Sequence, residues 1–124
     1  MTVQDIVGRY AILGNNQDAQ GTEYTGILTL TLDAHQKIIA EWTIHEDQQQ
    51  FGTGFFKDNL LVINFRYTGE DAKIYKGTVV YKFFDKETFE GFWSEKHANQ
   101  QFLGLERGTK IEKNSFKINT HWVL

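Results

Sequence analysis

The stretch that decides the fold runs from Glu87 to Thr109 and reads ETFEGFWSEKHANQQFLGLERGT. Two segments rich in aromatic and apolar residues flank a polar loop, and each segment contains a central glycine. Strand side chains alternate between the faces of a sheet, so Phe89-x-Gly91-x-Trp93 places two large rings and a bare backbone on one face. Glycine inside a strand permits the bends that close a sheet into a barrel. The stretch therefore predicts a hairpin at the seam of a small closed β-barrel.

The remaining sequence repeats the alternation of apolar and polar residues at intervals of about a dozen residues, without proline and without a strong helical segment. The predicted strands are 8–14, 23–32, 37–45, 50–57, 60–67, 75–84, 87–95 and 101–111. This spacing predicts an all-β fold, an eight-stranded antiparallel up-and-down β-barrel. We expect a short N-terminal turn to plug one end and the C-terminal tail, residues 112–124, to pack outside.

The predicted connections differ in length between the two ends of the barrel. In a meander they alternate ends, and the odd-numbered ones (15–21, 45–50, 68–72 and 96–100) are long and polar. The even-numbered ones (33–36, 58–59 and 85–86) are short, and Asp58-Asn59 suits the positive φ angles of a two-residue hairpin turn. We therefore expect one closed end, and the mouth of any pocket at the long-loop end.

Composition narrows the function classes. A chain of 124 residues predicts one domain, 1–124. A net charge of −3 without a basic stripe argues against a nucleic-acid partner, and no apolar run is long enough to span a membrane. Cysteine is absent and the four histidines lack ligand spacing, so we expect neither a metal nor another cofactor. The N-terminal residues lack signal-peptide features, which predicts a cytoplasmic location.

Two short features carry a resemblance to a known group. The triplet at 8–10, Gly-Arg-Tyr, resembles the Gly-x-Trp that opens the first strand of lipocalins, with Tyr10 in place of the tryptophan. Arg107 resembles the arginine that packs across that aromatic ring at the closed end. The chain is thus similar to the calycins, the group that includes lipocalins and avidins. The resemblance implies a barrel that binds a small or apolar molecule, and a structural Arg107 stacked on Tyr10.

Four aromatic residues with polar tips are predicted to face the barrel interior: Tyr24, Trp42, Tyr81 and Trp93. They could simply fill the core, since buried aromatics supply much apolar area. They could also surround a ligand, because an eight-stranded barrel is either just filled by its side chains or holds one small molecule. Both interpretations stay open at the level of the sequence.

Glu106 has two alternative placements. If Gly104 and Glu106 face inward, a carboxylate lies in an apolar barrel with a raised pKa, which suits ligand anchoring or proton transfer. If Leu105 and Arg107 face inward instead, Glu106 lies on the surface. The calycin resemblance favours the second placement.

These observations lead to three functional hypotheses. The first is a binding protein, rather than an enzyme, for a small planar or apolar ligand contacting Tyr24, Trp42, Tyr81, Trp93 and Glu106. The second is an inhibitor or immunity-type protein that binds a protein partner or forms a homo-oligomer. It rests on the long loops and on outward apolar residues, namely Leu60, Val62, Val80, Phe84, Phe92 and Trp122 of the tail. The third is a small lyase or isomerase that uses Glu106 and a tyrosine as acid–base groups.

Overall fold

The strands follow one another around a closed barrel. The computed structural model describes residues 1–111. A 3₁₀ helix, Val3–Ile6, precedes the strands β1 (Gly8–Asn15), β2 (Glu23–Leu32), β3 (Ile38–Ile44), β4 (Gln48–Lys57), β5 (Leu60–Thr68), β6 (Ile74–Phe83), β7 (Thr88–Glu95) and β8 (Gly104–Lys110). Neighbours pair antiparallel, and β8 closes the barrel against β1. The predicted eight-stranded up-and-down barrel is confirmed, while the predicted tail, 112–124, lies outside the described residues. No helix within residues 1–111 is long and apolar enough to cross a membrane.

Glycines opposite aromatic rings explain how the seam closes. Phe89 on β7 pairs with Gly108 on β8, and Trp93 pairs with Gly104. A Cβ atom added at Gly108 would lie 2.3 Å from Phe89 Cζ, and one at Gly104 would lie 2.0 Å from Trp93 Cε2. The rings therefore lie directly over the β8 backbone, where any larger residue would collide with them.

These pairs also decide which side chains of β8 face the barrel interior. The expectation from the calycin resemblance, that Leu105 and Arg107 face inward, was wrong. Gly104 and Glu106 are buried, whereas Leu105 and Arg107 are exposed. Side chains on a strand alternate faces, so the glycines that accommodate the inward rings bring Glu106 inward with them. The sequence placed Phe89 and Trp93 on one face of β7, but it did not show that they pair with Gly108 and Gly104.

The base of the barrel is closed by the 3₁₀ helix, as predicted. Ile6 is fully buried, and the Tyr10 hydroxyl donates a hydrogen bond of 2.7 Å to its carbonyl oxygen. Lys110 Nζ donates to the Asp5 carbonyl oxygen at 2.9 Å and lies 5.5 Å from the centroid of the Tyr10 ring. The expected stacking of Arg107 on Tyr10 is wrong, because Arg107 is exposed and pairs with Leu13. Lys110 covers the ring instead.

The apolar core fills the lower half of the barrel. Tyr10, Phe83 and Phe89 are buried with ring centroids 5.1–5.9 Å apart. Burying each of these side chains contributes about 1.5–3 kcal/mol. The packed base leaves the interior near the opposite end for a cavity.

Strand β4 and the connections on either side of it agree with the sequence-based predictions only in part. The inward face of β4, which the sequence left unassigned, contains Gln48 and Gln50, and both side chains line the cavity described below. The turn at Asp58 (φ 54°) and Asn59 (φ 66°) has the predicted positive φ angles. The β3–β4 connection spans only 45–47 and is shorter than predicted, because β4 begins at Gln48.

The outer wall presents a row of apolar residues. Register pairs link neighbours across five strands, in the order Phe55, Val62, Val80, Phe92 and Leu105. Phe55, Phe92 and Leu105 are exposed, as are Leu60 and Phe84, which were also predicted to face outward. Trp122 lies outside the described residues.

Candidate functional site

A cavity of about 410 Å³ occupies the interior at the long-loop end. It extends from exposed loop residues, Asp18 and His45, to the buried side chains of Tyr81 and Glu106. The structure brings together all five residues singled out from the sequence, because Tyr24, Trp42, Tyr81, Trp93 and Glu106 all line this cavity. The cavity also lies at the end where the sequence predicted a mouth.

The Glu106 carboxylate lies deep in the cavity, where two tyrosines bind it. The Tyr24 hydroxyl donates a hydrogen bond of 2.5 Å to Oε2, and the Tyr81 hydroxyl donates to Oε1. The Trp42 indole N–H donates to the Tyr81 oxygen at 3.0 Å. Strands β2, β3, β6 and β8 thus each contribute one member of a connected hydrogen-bond network.

Burial dominates the electrostatics of this network. Glu106 is 6% exposed, and burial raises the pKa of its carboxyl group, although the hydrogen bonds from Tyr24 and Tyr81 act in the opposite direction. Burial and then the nearby negative charge of Glu106 raise the pKa of both tyrosines, so they stay protonated and act as donors. No Lys or Arg of residues 1–111 forms an ion pair with Glu106. A buried acid without a cationic partner is costly unless something else compensates its charge.

Trp93 supplies a buried hydrogen-bond donor that no group of the described residues accepts. Its indole N–H is buried and forms no hydrogen bond within residues 1–111. Burial raises the pKa of Tyr24, and the nearby Trp93 N–H opposes this shift, although the two groups form no hydrogen bond. The Trp93 ring meets Tyr24 and Phe65 edge-on, at centroid distances of 6.4 and 6.3 Å. The rings of Tyr24, Phe65 and Trp93 and the Trp93 N–H therefore form part of one cavity wall.

A second tyrosine–glutamate pair lies near the mouth. The Tyr67 hydroxyl donates to Glu95 Oε1, and both residues line the cavity. The Tyr67 ring stacks on Tyr75 at a centroid distance of 5.3 Å. Burial and the hydrogen bond to Glu95 raise the pKa of Tyr67, so the phenol remains a donor. The sequence analysis did not single out this pair.

Gln17 is a further residue that the sequence analysis missed. It is 6% exposed although it belongs to the β1–β2 loop. Its Nε2 donates to the Phe102 carbonyl oxygen at 2.8 Å and to Ser94 Oγ at 3.1 Å, and its Oε1 accepts from the Glu95 N–H at 2.8 Å. Gln17 thereby joins two loops at the mouth. Its neighbours Asn16 and Asp18 are also polar, so nothing in the local sequence indicates that Gln17 is buried.

The histidines occupy different parts of the structure. His45 lines the cavity near the mouth, and its ring lies 6.4 Å from that of Tyr24. His97 lies in the β7–β8 connection, 6.4 Å from the Tyr75 ring. His35 is exposed in the β2–β3 turn at the base, and His121 lies outside the described residues.

Comparisons with known proteins show which solved structures this barrel resembles. The sequence matches no protein-family model and no curated protein. Among solved structures, a redesigned β-barrel has a TM-score of 0.69 at 11% identity, over 89% of this chain and 95% of the other. A de novo designed fluorescence-activating β-barrel has a TM-score of 0.66 at 9% identity, over 90% and 100%. The redesigned barrel mFAP1, bound to DFHBI, has a TM-score of 0.63 at 16% identity, over 88% and 97%. At these identities the similarity establishes the fold, a small β-barrel.

Proposed function

We propose that this protein binds a small ligand inside the barrel, in contact with Tyr24, Trp42, Tyr81, Trp93 and Glu106. One observation carries the proposal: a cavity of about 410 Å³ reaches from the loop end to a buried carboxylate. Its volume falls within the range of about 300–1,000 Å³ typical of small-molecule sites. Such sites combine apolar walls with a few polar groups that fix the orientation of the ligand.

The aromatic walls favour a planar ligand. Trp42, Phe65 and Trp93 line the cavity, and the Phe65 ring meets each tryptophan edge-on. Flat molecules pack well between such rings. The structurally similar designed barrels mFAP0 and mFAP1 are bound to DFHBI, which supports ligand binding by a barrel of this fold. A small ligand is also what the resemblance to calycins implies, although Arg107 does not occupy the place that the resemblance requires.

A pair of matched variants tests the proposal. Val79 is buried and lines the cavity, whereas the adjacent Val80 belongs to the outer row. A library of small aromatic compounds is screened by intrinsic tryptophan fluorescence, to which the cavity residues Trp42 and Trp93 contribute. Native mass spectrometry of protein from its own host is used to look for a co-purified molecule. We expect Val79→Phe to abolish binding and Val80→Phe to preserve it. The proposal fails if no compound or adduct is found whose binding depends on Val79 in this way.

An enzymatic role is the second candidate, and the location of Glu106 favours it. A buried acid with a raised pKa and two tyrosine contacts can exchange a proton with a molecule in the cavity. Tyr24 and Tyr81 would act as hydrogen-bond donors, because their own pKa values are raised. Exchange of substrate hydrogens with deuterated solvent, lost in Glu106→Gln, would support a lyase or isomerase.

Self-association is a separate prediction that rests on the outer apolar row. Val80, Phe92 and Leu105 form its continuous centre. Light scattering with size-exclusion chromatography measures the mass, and a monomer at high concentration would contradict the prediction. Phe92→Lys should convert any dimer to monomer.

A further inference from the structure

The lining of the cavity is acidic. Asp18, Glu95 and Glu106 contribute three carboxylates, and no described lining residue is a Lys or an Arg. His45 is the basic side chain among the lining residues of the described chain. The chain as a whole carries only −3, so the cavity concentrates negative charge more than composition requires.

Glu106 in particular lacks a positive partner among the described residues. It is buried on a strand whose neighbours at this point, Gly14 on β1 and Gly91 on β7, have no side chains to offer one. Tyr24 and Tyr81 supply two hydrogen bonds, whereas a carboxylate has about four acceptor positions. A buried charge of this kind is stabilised most by an opposite charge with further hydrogen bonds. A cationic ligand with N–H groups would provide both.

The aromatic walls suit the same ligand class. A cation over the face of Trp, Tyr or Phe is attracted by the ring, and the attraction strengthens where water is excluded. Trp42, Phe65, Tyr67 and Trp93 line the same cavity as Glu106 and the mouth residue Glu95. A positively charged planar group would therefore contact rings and carboxylates together.

An organic cation fits this arrangement better than a metal ion. In residues 1–111 no group of three or more His, Cys, Asp or Glu side chains converges closely enough to hold a metal ion. Glu106 Oε1 and Oε2 already accept from tyrosine hydroxyl groups, which leaves single acceptor positions rather than a coordination shell.

We propose that the ligand is a small planar organic cation, such as an amidinium or a protonated amine on a flat apolar group, whose N–H groups bind Glu106. This inference rests on the proposed binding function and specifies its ligand class. Electrostatic attraction by Glu95 and Asp18 favours entry of the same cation.

Three probes of nearly equal shape and different charge test the inference: benzamidinium, benzamide and benzoate. Calorimetry or tryptophan fluorescence gives their affinities for the full-length protein. We expect benzamidinium to bind about tenfold or more tightly than benzamide, and benzoate to bind most weakly. Glu106→Gln should bring benzamidinium and benzamide close to equal affinity, while Glu95→Gln should reduce their ratio less. Glu90→Gln, on the outer wall, should leave the ratio unchanged.

Proton release gives a second readout. Glu106 is faced by Tyr24 on β2, Tyr81 on β6 and the Trp42 N–H on β3, and the other charged or titratable lining groups are Asp18, His45, Tyr67 and Glu95. Burial raises the pKa of Glu106 and so favours its protonated form, whereas a bound cation favours the carboxylate and therefore displaces a proton. Calorimetry in two buffers of different ionisation enthalpy should detect release in the wild type and a smaller release in Glu106→Gln.

The outcomes separate this inference from the function on which it rests. Benzamide or benzoate binding as tightly as benzamidinium overturns the cation assignment and leaves a binding cavity in place. Failure of all three probes to bind also overturns it, and the Val79→Phe and Val80→Phe library screen then decides the proposed function independently. If Glu106→Gln does not fold, the comparison of the three probes with the wild type, together with Glu95→Gln, still decides the assignment.

Discussion

The Tyr24 hydroxyl and the Glu106 carboxylate lie 2.5 Å apart inside the barrel, although 82 positions separate the two residues in the chain. Closure of β8 against β1 brings them together, because β1 lies between β8 and β2. Gly14 on β1 makes the contact possible, since a Cβ atom there would lie 2.3 Å from Tyr24 Cζ. The tyrosine ring thus passes over a bare backbone to reach the acid.

Glu106 should make stability depend on pH. Burial raises its pKa in the folded protein above the ordinary value of 4.5. The native state therefore holds this proton more tightly than the unfolded state, and the resulting stabilisation is complete below the unfolded pKa. It is lost as the pH rises through the raised native pKa, by about 1.4 kcal/mol for each unit of pKa shift. Glu106→Gln cannot ionise and should not show this loss.

Chemical denaturation across the pH range measures the effect. The free energy of unfolding of the wild type, relative to Glu106→Gln, should fall as the pH rises above about 4.5. Glu90→Gln provides the control, because Glu90 is exposed on the adjacent strand. A difference that stays constant with pH would show that burial of Glu106 does not perturb its ionisation.

Gly104 should tolerate no side chain. In Gly104→Ala the new methyl group would lie within the Trp93 indole, so the ring must move into the cavity or the strands must separate. We expect a loss of about 1–3 kcal/mol in the free energy of unfolding and a shift in tryptophan emission. Leu105→Ala is the control on the exposed face and should cost less than Gly104→Ala. Equal stability of Gly104→Ala and the wild type would contradict the close approach of the Trp93 ring to the β8 backbone.

Lys110, rather than Arg107, should stabilise the closed end. Lys110→Met removes the hydrogen bond to the Asp5 carbonyl and the charge near the Tyr10 ring, with an expected loss of about 1–2 kcal/mol. Arg107→Met should change stability by no more than about 0.5 kcal/mol, because Arg107 is an exposed residue of the outer wall. Thermal or urea unfolding compares the two variants directly. The reverse order would restore the arginine role that the calycin resemblance implies.

Gln17 should hold the mouth of the cavity together. Gln17→Leu leaves the Glu95 N–H and the Phe102 carbonyl without their partner, at a cost of about 2 kcal/mol. Amide hydrogen exchange at Glu95 should accelerate. Exchange near Tyr10, at the closed end, should change only as much as the loss in global stability requires. Gln20→Leu, at an exposed position of the same loop, is the control. Unchanged exchange at Glu95 would argue that Gln17 does not join the loops.

Much of the architecture was predictable because it depends on local patterns. The alternation in 23–32 corresponds to β2, and Asp58-Asn59 adopts the positive φ angles that its residue types favour. The same alternation of side chains along a strand predicted that aromatic residues such as Trp42 and Tyr81 face inward, and both are buried. Each of these features is set by residues within a few positions of one another.

The site depended on contacts that no local pattern contains. The sequence permitted Glu106 on either face, and only the pairing of Gly104 and Gly108 with the rings of β7 directs it inward. The sequence places Gln17 in a polar loop, and only the packing of the loops surrounds it with hydrogen-bond partners. The sequence by itself determined the strands, their order and the apolar faces, because side-chain alternation is a local property. Tertiary structure alone decided which acid is buried and what surrounds it, because barrel closure brings together side chains from distant strands.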